Sequence, residues 1–455
     1  MKFTLPKDVF PTLILSQDVQ NALINEADTV VKEIVVAGEA YIREGSKLEH
    51  SYWKHVRTKE GLRVFRQRKS TINQRSLGSC SPVIQSPSWT LDPSLLRYGA
   101  SHSSDRQMSV STNSGICEDS IMERMRPRGV SLMALHGTID GTLDDCMLGC
   151  FTPTNEAWML RSSHINDRLD DARILATIRG ATRQDPCRFL GVKWFAKEHP
   201  VILTGIVQQR DFLILESSGF TRDSKGERLG YFLVHSVTLR EIPELSHLGI
   251  VRGLMSFCYL FRQGGPGKVD VFCRGFFDSR GGVPNRLSVA IAADAAICCA
   301  NVVDLAYIKK LRYLVNKNAH KHITSHSDKT RPRRCQACDK SLTKFLLPVS
   351  EMGTTCQICH HFICTKCSVA KKITVDVSDT GAVQQCFFHF CVSCLMKAKQ
   401  YSSWEMAVND FEALSKSLTA SCSSSASGLP PTPQTVTYTR SGRSYSTCSG
   451  TRCGQ

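Results

Sequence analysis

The feature that most constrains this chain is a series of four Cys-x-x-Cys pairs within about sixty residues. Zn²⁺ is held tetrahedrally by four thiolates, and two cysteines separated by two residues can bind one ion from a single tight turn. Eight such cysteines predict two closed, structural Cys₄ sites holding two zinc ions. Because neither site keeps a position for water, we predict no catalytic metal. The pairs are Cys335/Cys338, Cys356/Cys359, Cys364/Cys367 and Cys391/Cys394.

The spacing between the pairs indicates the kind of finger. The gaps are seventeen, four and twenty-three residues, and Lys371-Lys372-Ile373 follows the third pair. A four-residue gap between intact pairs, followed by a Lys-Lys-Ile strand, resembles a FYVE zinc finger. A RING finger normally has a shorter gap there and a histidine ligand. Spacing alone leaves sequential pairing open, but the resemblance implies cross-braced ligation, with Cys335, Cys338, Cys364 and Cys367 on one ion and Cys356, Cys359, Cys391 and Cys394 on the other.

The signatures with which FYVE fingers bind phosphatidylinositol 3-phosphate are altered in this sequence. No Trp-x-x-Asp precedes Cys335, and Met352-Gly353-Thr354-Thr355 stands where the family has a basic run. His389-Phe390 likewise replaces the family's Arg-Val. Phosphate recognition needs several converging charge-assisted donors. The donors that remain, and that we consider as lipid-headgroup residues, are Arg333, Arg334, His360, His361, Lys371 and Lys372.

Two short segments of the finger have alternative interpretations. His360 and His361 follow Cys359 directly, but eight cysteines already fill two sites, so we expect both histidines to be exposed turn residues. Phe345-Leu346-Leu347 suits insertion into a membrane and equally suits the small core between the two metal sites.

Length and cysteine usage limit the class of protein. A chain of 455 residues predicts two domains with linkers. The chain has 21 cysteines, and those that do not belong to the four pairs are scattered without regular spacing. Such usage is typical of a reducing compartment rather than of a disulfide framework. Pro6, Lys7 and Asp8 interrupt any N-terminal apolar run, so no secretory signal is expected. We therefore expect a cytoplasmic protein.

Charge and hydropathy bear on its partners. The formal charge of +16 favours acidic partners such as anionic lipid surfaces. No aromatic residues alternate with the basic clusters, so we expect no nucleic-acid partner. The most apolar long segment, residues 287–307, contains Asp294, Asn301 and Asp304, which would be costly at a bilayer centre. We predict no membrane span, and any membrane association, for example peripheral binding to endosomes, must be reversible.

Apolar periodicity predicts the N-terminal elements. Residues 16–44 repeat apolar side chains at helical spacing, with Ser16 as the expected N-cap and Asp18 in the first turn. Residues 53–66 then read as two short strands about a turn at Lys59-Glu60-Gly61. Residues 69–127 are rich in Ser, Arg and Asn without periodicity, which predicts a disordered insertion.

The following region alternates as strands do and ends in a long helix. A strand at residues 130–135 and two short helices (residues 142–151 and 154–162) come first, and six further strands follow before a helix that Asn285 is expected to cap. Gly264-Gly265-Pro266-Gly267 predicts the hairpin between the last two strands. About nine antiparallel strands, interrupted after the third by two helices and enclosed by an N-terminal and a C-terminal helix, predict an α+β fold.

This order resembles the START lipid-transfer domain, the helix-grip fold, over residues 10–316. The local stretches Gln209-Arg210-Asp211-Phe212 and Gly282-Val283-Pro284-Asn285-Arg286-Leu287 are similar to that family. The resemblance implies an apolar pocket between sheet and closing helix for one lipid or sterol-like molecule. It places the START-like domain at residues 10–316. The cysteine pairs place the FYVE-like zinc finger at 330–400, and the Ser-rich composition predicts a disordered tail at 415–455.

Three classes of function remain after the motifs are compared. No Gly-x-Ser-x-Gly elbow, His-Glu-x-x-His or Rossmann fingerprint is present, so we predict a protein that is not an enzyme. The leading hypothesis is a lipid-binding or membrane-adaptor protein, with an anionic endomembrane surface and other proteins as candidate partners. The alternatives are a RING-like zinc-dependent ubiquitin ligase and a pure protein-interaction scaffold.

Overall fold

The computed structural model describes residues 3–6, 8–68, 120–165, 169–197, 208–322, 333–342, 353–377 and 383–423. These ranges include all eight paired cysteines but not Phe345-Leu346-Leu347, which lies outside the described residues. Most of the described chain belongs to one compact unit, Met1–Phe411, and a second unit comprises Glu412–Gln455.

A mixed fold of helices and antiparallel strands forms the larger part of the first unit, which we call the sheet domain. In the described residues, nine strands follow the path β1-β2-β3-β10-β9-β7-β6-β5-β4 with antiparallel neighbours, and a short strand, β8, pairs in parallel with β6. The strands are β1 Trp53–Lys59, β2 Leu62–Gln67, β3 Met133–Asp140, β4 Leu169–Arg179, β5 Phe189–Lys197, β6 Arg210–Arg222, β7 Arg228–Ser236, β8 Val251–Arg252, β9 Leu254–Gly265 and β10 Lys268–Asp278.

Six α-helices accompany this sheet in the described part of the chain up to residue 322. They are α1 Gln17–Arg43, α2 Ile121–Met125, α3 Leu143–Cys150, α4 Asn155–Ile165, α5 Asn285–Ile297 and α6 Val302–His322. The last two, with the 3₁₀ turn Cys298–Asn301 between them, form what we call the closing helix. The predicted order, three strands, two helices, the remaining strands and a long helix, is confirmed.

Alternation along the strands separates two apolar layers. In β9, Phe257, Tyr259 and Phe261 belong to the cluster under α3 and the closing helix, whereas Cys258 and Leu260 belong to the cluster under α1. This is the period of two expected for a strand buried on both faces. The sheet is therefore the middle of three layers, with α1 on one face and the closing helix on the other.

Helix α1 begins where its sequence predicts. The Ser16 hydroxyl accepts a hydrogen bond from the Val19 amide at 3.3 Å and so caps the first turn. Its buried stripe includes Leu23, Val30 and Ile34 and faces the sheet. On that stripe an added Cβ at Gly38 would meet Leu260 at 2.9 Å, so the helix lies close to β9.

The hairpin predicted at Gly264–Gly267 joins β9 to β10. Two other local expectations differ from the structure. The short helix Ile121–Met125 lies inside the range predicted as a disordered insertion. It is linked to α1, because the Glu33 carboxylate accepts a hydrogen bond from the Ile121 amide at 2.9 Å. The closing helix begins at Asn285 with Pro284 at the capping position, so Asn285 is the first helical residue rather than the cap.

The closing helix contains the segment in which no membrane span was predicted. By length and composition Arg286–Asn318 is long and apolar enough to cross a membrane, but half of its most apolar window is buried in the protein. Ala292, Ala296 and Leu305 are among its buried residues. Burial of this kind is expected of a helix in a protein core.

The finger comprises the described residues between 333 and 400. It contains two hairpins, β11 Gly353–Thr355 with β12 Phe362–Cys364 and β13 Ser368–Val377 with β14 Val383–Cys391, followed by α7 Val392–Gln400. Its apolar core includes a side chain of the closing helix. Leu311 of the closing helix is fully buried in the same apolar cluster as Ile363 and Phe390.

A final helix, α8, returns the chain to the sheet domain. It spans Ser403–Ser423, so it covers the start of the segment predicted as a disordered tail. Met406 and Ala407 are buried in the sheet-domain cluster, and the Ser403 hydroxyl donates to Asp145 of α3 at 2.5 Å. The sequence predicted two domains with linkers. In the structure the finger lies between two segments that both pack on the sheet domain, the closing helix and α8.

Candidate functional sites

A cavity lies between the sheet and the closing helix, where the START resemblance implies a pocket. Its volume is about 100 Å³, on the measure by which one water molecule needs about 10–15 Å³. Its wall is mostly apolar and comes from α3, α4, six strands of the sheet and the closing helix. The wall residues include Trp158, Arg161, Ile165, Phe195, Phe212, Glu216, Tyr259, Ala295, Cys298, Cys299 and Val302.

Aromatic side chains fix the sheet side of this cavity. The rings of Phe195 and Phe212 are stacked with centroids 5.0 Å apart. The Tyr259 hydroxyl donates to the Ala296 carbonyl at 3.1 Å and so joins β9 to the closing helix beside the 3₁₀ turn. Burial raises the pKa of Tyr259 well above its ordinary value, which keeps this donor protonated.

The α3 side is fixed by backbone contact. A Cβ at Gly149 would lie 2.0 Å from the Val302 carbonyl oxygen, so only glycine permits α3 to cross the closing helix here. Val302 is the first residue after the 3₁₀ turn and lines the cavity. The close approach therefore determines where this wall of the cavity stands.

Part of the cavity wall is polar. Glu216 on β6 is buried, and its carboxylate is 2.6 Å from the Lys193 amino group and 3.1 Å from the Arg161 guanidinium. Lys193 is fully buried, also donates to the Thr152 carbonyl at 2.8 Å, and lies 4.6 Å from the centre of the Trp158 ring. Buried charges are tolerated only when they are paired and hydrogen-bonded in this way.

The pKa values follow from this packing. Burial opposes ionisation of Glu216, but Arg161 and Lys193 outweigh it and lower the pKa of the carboxyl. Burial lowers the pKa of Lys193 to about 8, and Glu216 only partly offsets that effect. At neutral pH the cavity wall thus includes Arg161 and Glu216 of a charged, hydrogen-bonded cluster, which an amphipathic ligand could face with its polar group.

This cluster was missed in the sequence, although a signal was present. Lys193 and Glu216 interrupt otherwise apolar strands, and lysine and glutamate are almost never fully buried unless paired. Their partner Arg161 comes from a helix 55 residues before Glu216, a separation that no local pattern reveals.

In the finger, the structure gathers the eight cysteines into two groups of four. Cys335, Cys338, Cys364 and Cys367 form one group and Cys356, Cys359, Cys391 and Cys394 the other, with the sulfur atoms of each group within 4.8 Å of one another. The first pair thus meets the third and the second meets the fourth. Sulfur separations of 3.8 Å for Cys338–Cys364 and 3.9 Å for Cys359–Cys391 match the edge of a tetrahedron with Zn–S bonds of about 2.3 Å, roughly 3.8 Å.

The first two pairs are held by the same backbone turn. The Cys335 amide donates to the Lys340 carbonyl at 2.9 Å, and the Cys356 amide donates to the His361 carbonyl at 2.9 Å. The residue after each pair, Asp339 or His360, has a positive φ, 57° and 59°. This turn directs both sulfurs of a pair to one side.

The other two pairs start helical turns. Cys364 and Cys367 flank a 3₁₀ turn, and the Cys391 sulfur caps α7 by accepting from the Cys394 amide at 3.3 Å. Further backbone amides donate to sulfur at 3.3 Å, from Cys364 to Cys335 and from Cys391 to Cys356. Such donors stabilise thiolates, the form that binds metal.

Within one group of four cysteines, the pKa of one thiol is lowered and the pKa of another is raised. Desolvation opposes ionisation of Cys335, but backbone amides outweigh it and lower its pKa to about 6. Hydrogen bonds to neighbouring cysteines, led by that to Cys338, raise the pKa of Cys367 to about 12. Only a bound cation would allow all four thiols of a group to ionise together, so the residues present fit a structural metal ion.

The six headgroup candidates are spread over different surfaces of the finger. Arg333 and Arg334 are exposed beside the first pair, and Arg334 is 2.7 Å from Asp339. Lys371 and Lys372 are adjacent on β13 and so point to opposite faces, with Lys371 5.9 Å from the Tyr307 ring centre. His360 and His361 belong to the second pair's turn, as expected, but only His361 is exposed and His360 is half-buried.

Comparisons with known proteins give a fold likeness only. No family model and no curated protein matches the sequence. Similar solved structures include human STARD10 (10% identity, 69% of this chain, 90% of that chain, TM-score 0.35) and human StAR-related lipid transfer protein 5 (14%, 63%, 97%, 0.35). A third is a STAR-related lipid transfer protein from Xanthomonas axonopodis (10%, 55%, 96%, 0.32). Likenesses at these TM-scores carry no argument about this chain.

Proposed function

We propose that this chain is a non-enzymatic lipid-binding protein that encloses one apolar ligand between its sheet and its closing helix. The observation that carries the proposal is the cavity itself, which is lined mostly by apolar and aromatic side chains and also by Arg161 and Glu216 of the Glu216–Lys193–Arg161 cluster. Such a site removes most of a ligand's apolar surface from water, at roughly 25 cal/mol per Å². The ordered polar cluster faces the ligand's polar end.

In this proposal the finger is a structural docking module that holds two zinc ions in cross-braced Cys₄ sites. The sulfur separations support it, as does the absence of a histidine or carboxylate from either of the two groups found in the described residues. All-thiolate closed sites stabilise folds and leave no position for a reacting water. We further propose a cytoplasmic protein that binds endosomal membranes reversibly.

The cavity can be tested by filling it. Ala295 lines the cavity, and Ala290 lies on the exposed side of the same helix, so Ala295→Phe and Ala290→Phe make the same chemical change in and out of the site. Full-length protein purified from cells should release a lipid on organic extraction, or its thermal midpoint should rise with phospholipids, sterols or fatty acids. Ala295→Phe should lose both responses and Ala290→Phe should keep them. If the wild-type protein shows neither response, the proposal is wrong.

The metal assignment has its own measurement. Native mass spectrometry of freshly purified protein should report two zinc ions for each chain together with any retained ligand. One zinc or none would contradict the two-site assignment without bearing on the cavity, because the two masses are read separately.

A further inference from the structure

Two elements have one side on the cavity and another on the finger. The first is α4, from which Trp158, Arg161 and Ile165 line the cavity. From the same helix, Ser163 and His164 contact the buried Thr374 hydroxyl of β13, at 3.1 and 3.2 Å.

Thr374 connects α4 to the finger hairpin. Its side chain is buried, and Gln385 of β14 donates to the same hydroxyl at 3.2 Å. A single hydroxyl therefore bonds two residues of α4 and one residue of the opposite finger strand. Partners in one hydrogen-bond network are where coupling between sites is expected.

The second element is the closing helix. Cys298, Cys299 and Val302 line the cavity at the 3₁₀ turn. Nine residues beyond Val302, about 14 Å along the helix, Leu311 is buried in the finger core. Between them the Tyr307 hydroxyl donates to the Leu395 carbonyl of α7 at 3.4 Å.

The same helix is held from the side of α8. The Lys310 amino group is 2.6 Å from the Asp145 carboxylate of α3, which also accepts from Ser403. The helix after the 3₁₀ turn is thus fixed by the finger and by α3 and α8. The turn beside the cavity is the point at which the closing helix departs from regular α-helical bonding, and such a break often marks a hinge.

We propose that ligand binding in the cavity and zinc binding in the finger are thermodynamically coupled through α4 and the closing helix. The folded finger holds both walls in the arrangement that encloses a ligand, and loss of zinc releases them. Because coupling is reciprocal, a bound ligand also raises the affinity for zinc. This inference rests on the proposed function, since it concerns regulation of the same cavity.

The test uses the full chain with a fluorescent sterol and a fluorescent medium-chain fatty acid as probes. We expect chelation of zinc to weaken binding of the probe that binds by about tenfold, and zinc addition to restore it. Two variants keep the cysteines intact and weaken only the contacts, Thr374→Val and Tyr307→Phe. Each should retain two zinc ions by metal analysis and bind the probe about threefold to tenfold more weakly. Thr355→Val, an exposed threonine on β11, is the matched control and should bind as wild type.

The outcomes separate the coupling from the function. Equal probe affinity in zinc-loaded wild-type protein and in both contact variants overturns the coupling and leaves the lipid-binding proposal intact. If the wild-type protein binds neither probe and retains no ligand, the lipid-binding proposal and the coupling are both wrong.

Discussion

The sheet domain and the finger are held together by different means. The sheet domain buries two extensive apolar clusters on the two faces of one sheet, whereas the finger has a small cluster around its eight cysteines and includes Leu311 from its neighbour. A small core rarely supplies enough burial for stability, so in the proposed function metal ligation by the two Cys₄ groups supplies the difference. The finger thus relies on its proposed metal sites and on the closing helix, whereas the sheet domain has an extensive apolar core of its own.

The largest expected effect comes from removing one metal ligand. Cys364→Ser should reduce bound zinc from two ions to one or none and unfold the finger, since a folded apo finger lacks a stable core. Because Leu311 then loses its cover, the sheet domain should also melt at lower temperature. Tryptophan fluorescence reports that domain, as all five tryptophans lie outside residues 333–400.

The matched control is Cys386→Ser. Cys386 is exposed and belongs to neither sulfur group, so zinc content and melting should not change. A Cys364→Ser protein whose sheet domain melts as wild type would show that the two regions are independent, contrary to the shared core.

The second-largest effect is expected from removing one buried charge in the sheet domain. Glu216→Gln leaves Lys193 and Arg161 without their buried carboxylate, and breaking a buried pair from one side costs about 3–5 kcal/mol in the free energy of unfolding. Chemical denaturation measures the cost. Glu244→Gln removes an exposed carboxylate paired with Arg280 and should cost under about 1 kcal/mol. Equal costs for both variants would mean that the buried cluster does not stabilise the domain.

Truncation of Leu311, the closing-helix residue buried in the finger core, should lower stability somewhat less. Leu311→Ala should cost about 2–5 kcal/mol, since it deletes a fully buried side chain. Zinc release and tryptophan fluorescence, followed together during denaturation, should both shift to lower denaturant. Leu248→Ala, at a side chain that is 49% exposed, should shift neither. A shift in zinc release alone would assign Leu311 to the finger only.

The smallest expected effect is a pH dependence of the free energy of unfolding that arises in the sheet domain and not in the finger. Burial first, and then the facing Arg63, lower the pKa of His136 from 6.5 to about 4. The unfolded chain therefore takes up this proton first, and the free energy of unfolding falls as pH falls from about 6.5 to about 4. His136→Gln should flatten that dependence in tryptophan fluorescence and leave acid-induced zinc release unchanged. An unaltered pH profile would exclude His136 as a cause.

The sequence predicted correctly those features that depend on residues close together in the chain. The four cysteine pairs, the Ser16 cap and the hairpin at Gly264–Gly267 were predicted, because each depends on residues within a few positions of one another. The strand order followed from alternation and from the resemblance to START domains. The resemblance alone implied a pocket between the sheet and the closing helix.

Long-range pairings were not predictable in this way. Glu216 finds Arg161 and Lys193, Thr374 finds α4, and Met406 returns to the sheet-domain core only in three dimensions. The packing of Leu311 of the closing helix in the finger core was not predicted for the same reason. Leu311 continues the apolar stripe of a helix, and nothing in that stripe shows which neighbour covers each turn.

The return of α8 to the sheet domain has a consequence for biosynthesis. The closing helix ends at His322, but the core is completed only when Met406 and Ala407 have left the ribosome. At about 5–20 residues per second, that interval is on the order of ten seconds. During it the nascent sheet domain exposes part of its apolar face, and in the proposed function this is also when the intervening cysteines would take up zinc. Zinc supply at that moment would then influence how many chains finish folding before they aggregate.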